Sequence, residues 1–190
     1  NNNKSTNKQQ INKYNNKHLI VKFKIDNPKI YLIVLNWNDK ELSRKCLSSI
    51  EKVSYSNYEV LIVDNNSEDG SVEFFKQHFP NYDILALKDN LKYAGGNNAA
   101  VDYLQPNEED YLVFINNDTI VSSDFLDHLI DPFLNDPNCI ITVPKILFAM
   151  DINKIWYAGG LVNMWKGTID HIGIRNFDAP RYSFCLLYTS

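Results

Sequence analysis

Unbroken apolar runs, each followed by a polar cluster and then a helix-periodic stretch, constrain this chain more than any other feature. Residues 30–35, Ile-Tyr-Leu-Ile-Val-Leu, are continuous and rich in β-branched side chains, the pattern of a strand buried on both faces. Residues 58–63 repeat it, and residues 82–87, 111–115 and 139–143 read as third, fourth and fifth strands. Between the first two, Asn38 is placed to cap a helix, with Glu41 as its capping-box partner and Leu42, Cys46, Leu47 and Ile50 on one face. A second helix carries Val72, Phe75 and Phe79 and stops at Pro80 and Asn81. A Gly-rich turn leads into a third, with Ala100, Val101 and Leu104. Ser122 or Ser123 caps a fourth, with Leu126, Leu129, Ile130 and Phe133 on one face. This alternation predicts an α/β fold: a mostly parallel, Rossmann-like sheet with helices on both faces.

Composition narrows the class. The 190 residues suffice for one domain, and 44% hydrophobic and 13% aromatic content excludes wholesale disorder. The longest apolar run is too short to cross a bilayer. The polar N-terminus lacks the apolar stretch of a signal peptide. Cys46, Cys139 and Cys185 are scattered, without the C-x-x-C spacing of a zinc site, so a cytoplasmic home is expected. A net charge of -4 gives no reason to expect nucleic acid as a partner. The first residue is Asn, and residues 1–27 are rich in Asn and Lys and poor in apolar side chains. They are expected to form a disordered, basic extension, with a solvated tail favoured over a membrane-surface or nucleic-acid arm.

In open parallel sheets ligands sit at the carboxyl ends of the strands, and polar clusters stand there. Asn36-Trp37-Asn38 follows the first run, as a nucleobase-contacting loop or simply a helix cap. Residues 64–71, opening with Asp64 and containing Asn66, follow the second; a carboxylate there can accept from a base N–H or ribose hydroxyls, or the segment is a polar turn around Gly70. Residues 90–98, with Gly95, Gly96 and Asn97, follow the third; the glycines permit close backbone approach to a ligand, and the next helix N-terminus favours an anion such as a diphosphate. Asn116-Asn117-Asp118-Thr119 follows the fourth, where a carboxylate after a buried run suits a hard divalent cation or marks a turn. The four histidines are dispersed, and no Ser-His-Asp order or nucleophilic cysteine setting stands out.

Taken in order, these clusters resemble the family-2 glycosyltransferases of GT-A fold, especially the rhamnosyltransferase-like branch. The likeness rests on Asn36-Trp37-Asn38, residues 63–71, residues 90–98, the Asn-x-Asp-Thr of residues 116–119, residues 143–146 and residues 156–160. It implies that Asp64 meets the base or ribose and that Asn36, Asn38 and Asn66 line the nucleotide pocket. Gly95, Gly96 and Asn97 would sit near the ribose and diphosphate, and Asn116 near ribose or donor sugar. Asp118 would hold Mg²⁺ or Mn²⁺, with His171 a second candidate near the metal. The implied reaction is inverting transfer from a nucleotide-diphospho-sugar donor, dTDP-rhamnose or a UDP-sugar, to a glycan or lipid-linked acceptor for cell-surface polysaccharide. Peripheral attachment at the inner face of the membrane would suit such an acceptor. Lys92 stands where the family pattern has Gly, so a different bend is expected there. No segment resembling the family's base-bearing strand is found, so the catalytic base is expected beyond residue 190. Residues 28–183 are read as the incomplete GT-A domain, and 184–190 as a non-native tail. The alternatives are a nucleotide-sugar-binding fragment without activity and, more distantly, a sugar nucleotidyltransferase, whose Gly-rich basic loop would occupy the place of Asn36-Trp37-Asn38. A nicotinamide-dependent oxidoreductase is disfavoured, because no G-x-G-x-x-G follows Leu35.

Overall fold

Four parallel strands form the central sheet: β1 (Ile30–Asn36), β2 (Tyr58–Asp64), β3 (Asp83–Ala86) and β4 (Tyr111–Asn116), in the order β3-β2-β1-β4. The structure, a computed structural model, describes residues 27–163, 165–182 and 186–189. All but the last residue of the expected N-terminal extension thus lies outside the described residues, as do 183–185 and 190 of the C-terminal end.

Helices α1 (Lys40–Ile50), α2 (Ser71–His78), α3 (Lys92–Leu104) and α4 (Phe125–Asn135) account for the helix-periodic stretches. Leu32 and Val34 of β1 pack into one core with Cys46, Leu47, Ile50, Phe75 and Phe125. Ile33, on the opposite face, joins Leu61, Val63 and Ala100 under α3. Both faces of β1 are covered, so neither can be polar. Each such buried aliphatic side chain contributes about 1.5–3 kcal/mol relative to exposure. β4 is an edge strand, and its Phe114 is 45% exposed.

The chain departs from sequence expectation at several boundaries. The α1 cap is Asp39, whose carboxylate accepts from the Leu42 amide at 3.1 Å. Asn38 has φ +53° and its side chain is engaged across the sheet end, while Glu41 pairs with Arg44 instead of closing a capping box. The third helix starts earlier than expected, so Gly95 and Gly96 lie inside α3 and not in a turn before it. Neither Ser122 nor Ser123 caps α4: Asp124 stands at the cap, and the Ser122 hydroxyl bonds to that carboxylate. Residues 139–143 form no strand. They run between Pro137 and Pro144 without a ladder partner among the described residues, with Ile140 and Ile141 83% and 75% exposed.

Beyond β4 the chain turns at once into β5 (Thr119–Val121). A second sheet has the order β5-β10-β6-β7, where β6 is Lys145–Phe148, β7 is Asp151–Tyr157 and β10 is Leu186–Thr189. β8 (Gly160–Asn163) and β9 (Thr168–His171) form a separate antiparallel hairpin. Leu147, Ile155, Ala158 and Tyr182 make a small core there. Part of the expected tail is therefore β10, antiparallel to β5 and parallel to β6.

Candidate functional site

The strand order places the reversal of connection between β1 and β4: from β1 the chain steps outward to β2 and β3, then returns to the other side of β1. The carboxyl ends of β1, β2 and β4 therefore converge at the crevice where open α/β sheets bind ligands. Asn36 is in register with Asp64, and Leu35 with Asn116.

Asp64 is 2% exposed and Asn36 fully buried. The Asn36 amide donates to Asp64 Oδ1 at 2.8 Å and to Ser67 Oγ at 3.1 Å. The Ser67 amide donates to Asp64 Oδ2 at 2.9 Å. A buried carboxylate is costly unless hydrogen-bonded, and each oxygen here has one protein donor, leaving further acceptor capacity on both. Asn38 completes the turn: its backbone N–H donates to Ser67 Oγ (2.9 Å), and its side-chain oxygen accepts from the Glu68 amide (2.7 Å). Asn66 is exposed beside it with φ +62°. Farther along the turn, burial would raise the Asp69 carboxyl. Hydrogen bonds from Ser71 and the Lys40 amide, with the Lys40 charge, instead hold it below its ordinary value.

The start of α3 is tied to the same crevice by Asn65. Its side chain donates to Asn90 Oδ1 (2.9 Å) and the Lys92 carbonyl (3.3 Å) and accepts from the Leu91 amide (2.8 Å). Lys92 has φ +62°, a glycine-like backbone carried by a lysine, and its ammonium lies 5.8 Å from the centre of the exposed Trp37 ring. Gly96 is packed so closely on Leu35 that a Cβ would lie 2.6 Å from a Leu35 methyl; at Gly95 it would lie 2.7 Å from Leu91 Cβ. Gly96 lets α3 rest on Leu35 near the end of β1, while Gly95 clears Leu91 at the helix's own start. Asn97, the next residue, is buried.

Asn116 is exposed at the end of β4, and its carbonyl accepts from the Cys46 thiol at 3.7 Å. Asp118 is half-buried in the β4–β5 turn. Burial, and then the nearby Asp118 charge, push the Cys46 thiol up to about 12. A single carboxylate with neighbouring amide oxygens is a hard donor set, suited to Mg²⁺ or Mn²⁺ that draws its remaining ligands from a diphosphate and water. No group of three or more His, Cys, Asp or Glu that could enclose a metal occurs among the described residues. His171 lies on β9, edge-on to Tyr157 at 5.4 Å.

The structure thus gathers Asn36, Asn38, Asp64 and Asn66 around one turn, with Gly95, Gly96 and Asn97 on the helix above Leu35 and Asn65. Sequence reasoning missed Ser43, Asn65 and Ser67, which hold these groups. Ser67 was legible as the hydroxyl three residues after Asp64, and Ser43 as a polar residue on the apolar stripe of α1.

A family model described as Glycosyl transferase family 2 matches residues 31–185. Glycosyltransferase AglE of Haloferax volcanii is 39% identical over 62 residues, which cover 32% of this chain and 20% of the relative. Glycosyltransferase GlyA of Streptococcus pneumoniae is 32% identical over 101 residues, 53% of this chain and 14% of the relative. The chain thus spans a fifth or less of the length of the curated relatives it matches. Among solved structures, the mannosyltransferase PcManGT from Pyrobaculum calidifontis, in complex with GDP-Man and Mn2+, aligns with a TM-score of 0.50 at 22% identity, over 65% of this chain and 36% of that one. The sheet order, the convergence of polar turns at its switch point and the family match over most of the residues agree: this chain belongs to glycosyl transferase family 2 and has the GT-A fold.

Proposed function

We propose that this chain forms the donor-binding part of a glycosyltransferase that takes its sugar from a nucleoside diphosphate. The observation that carries the reading is the register that sets Asp64, held by Asn36, and Asn116, which leads into the Asp118 turn, on either side of the end of β1. Asp64 accepts from N–H or O–H groups of the nucleoside, and Asn36 fixes the direction in which it does so. Asn38, Asn66 and Asn97 supply amides around the ribose, and Asn116 lies toward ribose or donor sugar. Gly95 and Gly96 let the positive end of α3 approach the diphosphate. Asp118 would hold the metal, with His171, whose ring packs edge-on to Tyr157, a second candidate. A bound Mg²⁺ or Mn²⁺ supplies Lewis-acid neutralisation of the charge that grows on the leaving diphosphate.

The reaction is a single inverting displacement. An acceptor hydroxyl loses its proton to a carboxylate base and attacks the anomeric carbon, and the nucleoside diphosphate departs. No base is assigned among the described residues. The acceptor is a glycan or lipid-linked glycan in polysaccharide assembly, reached from the cytoplasmic face of a membrane. No helix among the described residues is long and apolar enough to cross one. Donors of the dTDP-rhamnose, UDP-sugar and GDP-mannose classes all fit this chemistry.

The test separates two carboxylates. Asp118→Ala removes the metal-dependent part of nucleoside diphosphate binding and leaves nucleoside binding intact. Asp64→Ala weakens binding with or without Mn²⁺. Unchanged Mn²⁺ dependence in the first, or a purely metal-dependent loss in the second, contradicts the assignment.

A further inference from the structure

Ser43 is fully buried in the second turn of α1, on the stripe it shares with Cys46, Leu47 and Ile50. An apolar side chain would suit that position, since a buried hydroxyl is costly unless bonded, and serine is a modest helix former. The Ser43 hydroxyl both donates and accepts, and its partners come from two different strand ends. It donates to Asn36 Oδ1 at 2.7 Å, and its oxygen accepts from Asn117 Nδ2 at 3.0 Å. Asn36 in turn donates to Asp64 at 2.8 Å. The bonds run in one direction, from Asn117 through Ser43 and Asn36 to Asp64. Because Ser43 donates to the Asn36 oxygen, that amide must present its NH₂ to the Asp64 carboxylate. Two more contacts from the same helix face grip the segment from β4 to β5: Cys46 to the Asn116 carbonyl, and Ser49, which accepts from the Val121 amide at 3.1 Å.

We propose that Ser43 is a positioning residue that couples the nucleoside-binding carboxylate Asp64 to the metal-bearing turn at Asn117–Asp118. The assignment rests on the proposed function above. Hydrogen bonds in such a chain polarise one another. Breaking the middle one frees the Asn36 amide to turn and the Asn117 side chain to leave, so both halves of the site loosen together. Ser43 touches neither ligand nor metal in this account.

The experiment uses the whole chain with Ser43→Ala, Asn117→Ala and the double variant, plus Ser43→Cys as a near-isosteric variant with a weak donor. The ligand-free readout is the Ser67 amide resonance, since that N–H is bonded to Asp64 Oδ2. Asn117→Ala is expected to shift it while Ser43 is present and to have no further effect in Ser43→Ala. The binding readout is titration with UDP, dTDP and GDP and their nucleosides, with and without Mn²⁺. Ser43→Ala should weaken metal-free nucleoside binding about fivefold and reduce the Mn²⁺ enhancement as well, with Ser43→Cys between it and the parent. Asn117→Ala should also weaken metal-free nucleoside binding, without adding to Ser43→Ala. Independent effects in the double variant, or a Ser67 resonance indifferent to Asn117, overturn the coupling. If the parent chain binds none of the six compounds, the proposed function itself fails. If it binds and the variants act additively, only the role of Ser43 fails.

Discussion

Asn36 and Asp64 occupy the same rung of the central sheet, and the amide of one donates to the carboxylate of the other at 2.8 Å with both side chains buried. Asn36→Ala removes that bond and the acceptor of Ser43, and leaves a buried charge short of a donor. The expected loss is about 2–3 kcal/mol of folding stability, read by urea unfolding. Asn36→Asp places two carboxylates in contact, so one must keep its proton. That raised folded-state pKa makes its loss largest at neutral pH and smaller toward about pH 5. Equal destabilisation at both pH values would contradict the geometry.

The start of α3 gives a second prediction. A Cβ on Gly95 meets Leu91 Cβ, which cannot move without its backbone. Gly95→Ala is therefore destabilising by roughly 1 kcal/mol, although alanine gains about that much in helix propensity. Gly96→Ala meets a Leu35 methyl that can rotate away, so its cost is smaller. Lys92→Gly relieves a positive φ and raises stability by about 0.5–1 kcal/mol. Thermal unfolding of the three variants should rank them Lys92→Gly, Gly96→Ala, Gly95→Ala from most to least stable.

Lys145 and Asp178 make a third. The buried Lys145 ammonium contacts both Asp178 oxygens, at 2.9 and 2.8 Å, tying β6 to the segment that enters the short 3-10 turn at Pro180–Tyr182. Asp178→Ala leaves a buried cation unpaired and costs about 3 kcal/mol. Replacing both together, Lys145→Met with Asp178→Leu, recovers most of that loss. A double variant as unstable as the single one would show that the pair's charge is not what matters.

A fourth concerns Cys46. It is fully buried with its thiol pushed up to about 12, whereas Cys139 is partly exposed. Since the thiolate is the reactive species, the thiol stays protonated and protected throughout the neutral range. A maleimide pulse at about pH 8, read peptide by peptide, should label Cys139 and spare Cys46 until denaturant is added. Prompt labelling of Cys46 would mean that α1 does not sit on the turn between β4 and β5 as described.

Much of the frame was legible in the sequence because its signals are local. The runs at β1 and β2 could only be doubly covered strands, and the polar residues at their ends marked the crevice. The start of α3 was not legible: paired glycines read as a turn, but close packing against Leu35 and Leu91, not turn chemistry, is what requires them. Residues 139–143 had strand composition, yet a strand needs a neighbour, and neighbours are set by topology. The role of Ser43 was hidden for the same reason, since its partners lie on β1 and after β4 and meet only when the sheet forms. Lys92 did not bend the chain differently; it adopted the backbone that glycine favours.

The switch between β1 and β4 is proposed to bind a nucleoside diphosphate with help from a metal. Calorimetric titration of the chain with UDP, dTDP and GDP, each with and without Mn²⁺, tests it most directly. At least one is expected to bind, with Mn²⁺ tightening it by about tenfold or more. A folded sample that binds none of the three, or binds them indifferently to Mn²⁺, contradicts it.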